Sequence, residues 1–360
     1  MVYDDAEDQD APVFRNGGRL GEDGRDRVQQ LAAEPDPRRH RLVSCLWYRA
    51  TRGMHRPTAF ESAVRKYDLT DEEIERRMDV ICGSWAESDD GEKDGGDGMG
   101  AVVVTGGSRG FGYALVQAFL EQGGAVVLCG RDTARIESAT ASLSMLPGAL
   151  GRVTGLVCDV YDKVAVQAVW DEAAARFGGV DVWVNNAGVR QSGEVLWDLD
   201  EKDVEHAVRT NLLGVIFGSQ VAMTGMLRQG GGQIFNVEGF GGNGRLHRGL
   251  NLYGTSKRAV AHFTKALSHE ATATPVCVGR LRPGMMGTDL LRDSAGRFPE
   301  TEQFRTALRI VGDRPLPVAR DMVRRMMANR KNGVHFVWLT PRRIGWRLLQ
   351  FPFVRRDLGL

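Results

Sequence analysis

Short apolar runs recur along the last 260 residues, each followed by a stretch whose apolar positions return every three or four residues. The runs are AVVVTG (101–106), AVVLCG (125–130), TGLVCDV (154–160), VDVWVNNAG (180–188), GGQIFNV (231–237), PVCVGRL (275–281) and GVHFVWL (333–339). Runs of this length, rich in valine and isoleucine, suit strands buried on both faces. The intervening period of 3.6 predicts helices at Phe111–Gln122, 133–145, 161–177, a long region reaching about 228, and one from the Tyr253 region to about 273. Seven strands alternating with helices give an α/β fold, a doubly wound, Rossmann-like parallel sheet over 99–340, whose ligand belongs at the carboxyl ends of the strands.

Before residue 99 the pattern changes. Residues 1–40 carry Asp, Arg, Gly and Pro without an apolar period and are expected to be disordered. Residues 41–86 hold an apolar cluster around Leu42, Leu46 and Trp47. Thr70 and Glu73 then form a capping box opening a helix through Ile74, Met78 and Ile81. A packed helical extension and a partner site both fit this segment. The glycine-rich, charged stretch ESDDGEKDGGDG at 87–98 is a linker.

Charge sharpens this division. Residues 1–100 hold 23 acidic and 15 basic side chains, and the remainder 23 and 32, within a net charge of +1. Hydrophobic residues at 42% and charged residues at 26% are those of a water-soluble globular chain. No apolar run approaches the roughly 18 residues of a spanning helix, and the acidic start MVYDDAEDQD has neither a secretory signal nor the look of a transit peptide. Cys45, Cys82, Cys129, Cys158 and Cys277 are odd in number and form no CxxC, so buried free thiols in a reducing compartment are expected. Between Arg320 and Arg356 stand ten basic residues and one acid, interleaved with Trp338, Trp346, Phe351 and Phe353. This basic-aromatic end, with 341–360 as a tail, fits peripheral contact with anionic lipid, or equally a solvated basic face with its aromatics turned inward. No recognition motif accompanies the charge, so nucleic acid is not an expected partner.

The chemistry gathers at strand ends. TGGSRGFG (105–112) follows the first strand and opens the first helix. Gly106, Gly110 and Gly112 allow a tight turn and close approach of a pyrophosphate to helix N–H groups, flanked by Thr105, Ser108, Arg109 and Phe111. Where NAD-binding folds tend to carry an acid after the second strand, this chain has Gly130 and then Arg131. With Arg109, two guanidinium groups favour the 2′-phosphate of NADP, although Asp132 is close by. Asp159, followed by Val160, offers a carboxylate for the adenine amino group or, more plainly, a helix cap. Tyr253 and Lys257 stand four residues apart and share a helix face, where an ammonium lowers the pKa of a phenol. No metal is called for.

These pieces resemble the short-chain dehydrogenase/reductase family: TGGSRGFG, CDV, NNAG (185–188), Asn211 in TNLLG, YGTSK and RPGMMGTD occur in the family's order over about 99–340. The resemblance implies Tyr253 as general acid in carbonyl reduction, Lys257 holding the nicotinamide ribose and lowering the Tyr253 pKa, and Asn211 placing a water in a proton relay. It also implies Asn186, Ala187 and Gly188 lining the cofactor channel, with Pro283, Gly284 and Thr288 beside the nicotinamide. One position departs from the family. Three residues after Asn236, where a serine usually binds the substrate carbonyl, stands Gly239, and loss of such a donor typically costs about 2.7–4 kcal/mol. Asn243 or a backbone N–H of the glycine loop is an alternative donor. Glu238 either orients loop donors or is a solvated or capping carboxylate. The pattern IFN-x-acid-G-x-G, RPGMMGTDLL and LTPRRI is similar to that of the chlorophyll b reductases. This implies NADPH-dependent reduction of the chlorophyll b formyl group at a plastid thylakoid surface. Without that resemblance the expectation is a cytoplasmic reductase of another lipophilic carbonyl, or a cofactor-binding scaffold silenced by the missing serine. The segment after Thr288 is expected to be an apolar lid or an ordinary helix pair, and a homo-oligomer is compatible with all of this.

Overall fold

In the structure, a computed structural model, residues 101–190, 194–242, 244, 246–286, 288 and 302–350 are described. The expectations for residues 1–98, Asn243, the segment 289–301, Phe351 and Phe353 lie outside them.

The seven strands form one sheet. They are β1 (Ala101–Thr105), β2 (Ala125–Gly130), β3 (Val153–Val157), β4 (Val182–Asn185), β5 (Gly232–Val237), β6 (Val276–Arg282) and β9 (His335–Val337), in the order β3-β2-β1-β4-β5-β6-β9 with every pairing parallel. A short second pair, β7 (Met285–Met286) with β8 (Gly312–Asp313), was not anticipated. Residues Val102 to Val104 are wholly buried because helices cover both faces. The helices are α1 (Gly110–Glu121), α2 (Thr133–Ser144), α3 (Lys163–Phe177), α4 (Glu201–Val208), α5 (Gly214–Gln229), α6 (Asn251–Glu270), α7 (Glu302–Val311), α8 (Pro315–Ala328) and α9 (Pro341–Gln350). The sheet grows outward from β1 to β3, then returns to the other side of β1 with β4. The crevice at that reversal is where such a fold places its ligand.

Local chemistry sets the helix ends. Asp132 caps α2 by accepting from the Arg135 N–H at 3.0 Å, and Asp162 caps α3 by accepting from Val164 N–H. Between α4 and α5 the backbone widens into a π turn at Arg209–Leu213. The whole run Glu201–Gln229 is long and apolar enough to span a bilayer by composition, contrary to the expectation that nothing approached that length. Here 61% of its apolar window is buried, because it packs on β4, β5 and α3 as a core helix.

The carboxyl-terminal segment corrects its sequence reading in part. Half of its described cations are ion-paired within the protein: Arg320 with Glu121, Arg324 and Arg325 with Asp321, and Arg347 with Asp313. Arg343 stacks on Trp338 at 3.6 Å, and the Trp338 indole N–H donates to Asp313 at 2.6 Å. Residues 341–350 are therefore a helix pinned to the domain rather than a tail. Trp346, Leu348 and Leu349 remain exposed. Cys129 and Cys158 are free and buried, while Cys277 is free and only partly buried.

Candidate active site

The turn after β1 is built for close approach. Gly106 and Gly110 have φ of 65° and 58°, in the left-handed region that favours glycine. A Cβ at Gly112 would run into the Gly106 carbonyl and stand 2.5 Å from Asn186 Nδ2. Thr105 and Asn186 shape this turn rather than face outward. The Thr105 hydroxyl accepts from the N–H groups of Asn186 (3.0 Å) and Ala187 (3.1 Å), and Asn186 Nδ2 donates to the carbonyls of Thr105 (2.9 Å) and Gly106 (3.1 Å). Phe111 is a core residue, so only its backbone is available to a ligand. Thr288 lies against Gly110, within 3.4 Å of where its Cβ would be, and so belongs to the phosphate turn. Pro283 and Gly284 close the end of β6, Gly284 with φ of 84° beneath Leu339.

Beside this turn a groove of about 670 Å³ is lined by Ser108, Arg109, Tyr113, Asp132 and Arg135, among others. Asp132 is already engaged as the α2 cap and by the Arg135 side chain at 3.3 Å. Arg135 was missed in the sequence because nothing local separates it from other helix-surface arginines. Arg131 turns the other way, 4.0 Å from Asp159 and 3.5 Å from His206 Nδ1. Asp159 Oδ1 is buried without a hydrogen-bond partner among the described residues, a free acceptor at the end of β3. Val160 is buried beneath Gly214. A glycine cradle, an orphaned acceptor and a basic groove in sequence along one crevice fit a dinucleotide.

Lys257 and Asn211 converge on Gly188, while the Tyr253 phenol stands against Gly239. A Cβ at Gly188 would stand 3.2 Å from Asn211 Oδ1 and 3.4 Å from Lys257 Nζ. Lys257 is 4% exposed and donates to the Val237 carbonyl at 3.2 Å. Burial brings its pKa down to about 8, against an opposing pull from Glu238. Asn211 is wholly buried on the π turn. Its amide closes both ways on Val189, accepting from the N–H at 2.7 Å and donating to the carbonyl at 2.8 Å, and it also donates to Ser256 Oγ at 3.1 Å. Ser256, quoted within YGTSK but given no role from sequence, ties Asn211 to α6 by donating in turn to the Tyr253 carbonyl at 2.8 Å.

Two expectations are corrected here. The Tyr253 phenol stands above its ordinary pKa, not below: burial pushes it up to about 12, and the cation pulling it back is Arg190. Lys257 Nζ lies 6.0 Å from the ring centroid. Of the alternatives for Glu238, the solvated carboxylate falls. Glu238 is 1% exposed and clamped by Arg280 (3.0 Å), Arg282 (2.9 and 2.7 Å) and, at 3.3 Å, His335. Burial alone would raise its pKa, but His335 and Arg282 prevail and hold it at about 2.

Gly239 sits directly against the phenol. A Cβ there would collide with the Tyr253 hydroxyl and stand 2.9 Å from Cζ and 3.1 Å from Lys257 Cγ. The volume beside this glycine is therefore occupied by Tyr253 itself. A wide cleft lies one face further round α6. It encloses about 1040 Å³ between Val195–Trp197, the loop residues Gly244 and Leu246–Leu250, and the helix residues Gly254, Thr255 and Arg258; Tyr253 is not among its described walls. Trp197 and Leu246 are exposed along its rim.

Comparison with known proteins follows the same lines. A family model described as short chain dehydrogenase matches residues 100–297. The chain is 38% identical over 199 residues to a chloroplastic chlorophyll(ide) b reductase NOL of Oryza sativa subsp. japonica, covering 54% of this chain and 58% of that protein. It is 31% identical over 258 residues to a probable chlorophyll(ide) b reductase NYC1, also chloroplastic, of Arabidopsis thaliana, covering 68% of this chain and 51% of the relative. The chain thus spans little more than half the length of these curated relatives. Among solved structures, an actinorhodin polyketide ketoreductase with NADPH superposes with a TM-score of 0.59 at 27% identity, over 66% of this chain and 96% of that one.

Proposed function

Since the chain belongs to the short-chain dehydrogenase family, we propose that it is an NADPH-dependent reductase of a carbonyl on a bulky, apolar substrate, namely the formyl group of chlorophyll b or chlorophyllide b. The observation that carries the reductase reading is the meeting of Lys257 and Asn211 at Gly188, with Lys257 and the Tyr253 phenol both against Gly239, at the carboxyl ends of the strands. The substrate is supported by the chlorophyll(ide) b reductases to which the chain is similar, and by the apolar cleft opening beside the glycine loop.

When bound, the nicotinamide supplies a hydride to the carbonyl carbon. Gly106, Gly110 and Gly112 would hold the pyrophosphate against the start of α1, with Thr288 over it and Asp159 on the adenine. Ser108, Arg109 and Arg135 line the groove suited to a 2′-phosphate, and the engagement of Asp132 removes the carboxylate that a ribose diol would need. The Tyr253 hydroxyl donates the proton that the carbonyl oxygen takes up. A phenol held at high pKa by burial stays protonated at neutral pH, and a cation brought near it eases the transfer. Arg190 is the cation that pulls the phenol's pKa back, Lys257 would hold the nicotinamide ribose, and Asn211 would orient the path by which Tyr253 regains its proton. With Gly239 lacking a hydroxyl, the carbonyl is received by Tyr253 and backbone N–H groups of the loop.

The test is to incubate the purified chain with NADPH and chlorophyll b or chlorophyllide b and follow the absorbance shift of formyl reduction. Turnover is expected to fall by about a hundredfold or more in Tyr253→Phe. NADPH binding with no turnover on these pigments or on a panel of lipophilic aldehydes would overturn the reading in favour of a silent scaffold.

A further inference from the structure

Glu238 poses a problem that the proposed reaction does not solve. A carboxylate with 0% side-chain exposure is costly to bury unless it is fully compensated. Here it is met by Arg280 and Arg282 from β6 and by His335 from β9. Its own N–H donates to the Leu281 carbonyl at 2.8 Å, which continues the β5–β6 ladder one residue past the strand. Three strand ends are therefore locked together behind the loop that faces Tyr253. The lock touches the reactive side at two points. Glu238 Oε2 lies 3.5 Å from the Cβ position of Gly242, directly under the loop. The residue before it, Val237, supplies the carbonyl that receives Lys257 Nζ at 3.2 Å.

We propose that Glu238 is a positioning residue: its clamped carboxylate fixes the Gly239–Gly242 loop against Tyr253 and supplies the anion that supports the buried Lys257 ammonium beside it. This rests on the reading of Tyr253 and Lys257 as the reductive centre. The charged and titratable groups of this corner are Glu238 just past β5, with Arg280 and Arg282 of β6 and His335 of β9 against it, and the Tyr253 phenol on the helix of Lys257, with Arg190 after β4 acting on that phenol. Glu238 is the anion among them at neutral pH. Its field opposes the loss of the lysine proton that burial favours. Neutralising Glu238 would leave the Arg280 and Arg282 guanidinium groups without their counter-ion. Neutralising Arg282 would strengthen the anion.

The two substitutions should therefore move Lys257 in opposite directions, which a merely structural clamp would not do. The chain has seven lysines, so ¹³C-labelled lysine resonances of the full chain can be titrated and Lys257 assigned by Lys257→Arg. In Glu238→Gln the Lys257 midpoint is expected to fall by about one pH unit. In Arg282→Gln, whose side chain is 26% exposed, it is expected to rise by about half a unit. The alkaline limb of kcat/KM should follow in each case. If Glu238→Gln does not fold, Arg282→Gln carries the test alone. A Lys257 midpoint unmoved in the folded variants, with only Tm lowered, would overturn the proposal. Retained turnover in Tyr253→Phe would instead overturn the reductase reading on which it rests, and the lysine titration separates the two failures because it needs no turnover.

Discussion

Gly239 and Tyr253 compete for one volume, and that governs what substitution at this position can do. Because a Cβ at 239 collides with the phenol hydroxyl, Gly239→Ser does not simply restore the hydroxyl that the family usually carries there. The serine must displace Tyr253 or shift the loop, at a cost of about 1–3 kcal/mol for overpacking. We expect a lower Tm and lower kcat in Gly239→Ser, read by thermal melts and steady-state rates; a gain in kcat would show that the tyrosine swings aside freely. The cofactor groove gives a second prediction at this scale. Loss of a charge-assisted hydrogen bond to phosphate is worth about tenfold in affinity. Arg109→Ala should therefore weaken NADPH by about that factor and leave NADH nearly unchanged, as measured by nicotinamide fluorescence. For Arg131→Ala, an equal effect on both cofactors would place its guanidinium on the adenine side with Asp159, where the structure turns it.

At the scale of elements, α5 is seated by what its glycines omit. A Cβ at Gly218 would run into Asn185 Oδ1, and one at Gly225 into the Trp170 indole of α3. Asn185 is itself the hub of a buried polar chain. Its Oδ1 accepts from Trp183 Nε1 at 2.8 Å, and its amide donates to Ser219 (3.0 Å) and Asn236 (2.8 Å); Asn236 then donates to Thr264 at 3.0 Å. This chain links β4, β5, α5 and α6 just below the reactive strand ends. Gly218→Ala should thus cost about 1–3 kcal/mol by overpacking and by disturbing satisfied polar groups. Urea unfolding is the check, and a midpoint equal to that of the parent would mean that α5 can slide. The π turn belongs to this scale too. It turns Asn211 inward to Val189 and Ser256, yet the sequence reads here as one long helical region reaching about 228, because a single extra residue in a turn leaves the apolar period almost unchanged.

For the whole molecule, the buried charges tie stability to pH. The folded-state pKa of Glu238 is depressed from 4.5 to about 2, so its contribution is fully present above pH 4.5 and is lost as pH falls toward 2, an amount on the order of 3 kcal/mol. Lys257 works oppositely: with its pKa lowered from 10.5 to about 8, the cost of burying its charge is relieved as pH rises from 8 toward 10.5. The stability gap between the parent chain and Glu238→Gln should therefore close as pH falls from 4.5 to 2 in denaturant titrations. A gap that stays constant with pH would mean that the carboxylate's charge is not what the clamp uses. Seven strands and their helices, the glycine turn after β1, and the Tyr253–Lys257 spacing on α6 could all be read from the chain. Each is written in short-range terms, as an apolar period, a φ that favours glycine, or one helical turn. The surroundings of those groups could not be read. The partners of Glu238 come from 42 and 44 residues away and from a third strand, the pKa of Tyr253 is set by burial, and the place a side chain would take at Gly239 is filled by a residue on another element. Periodicity and spacing determine which groups reach the crevice. Desolvation and charge pairing across strands decide what those groups can do there, and these exist only once the sheet has brought distant residues together.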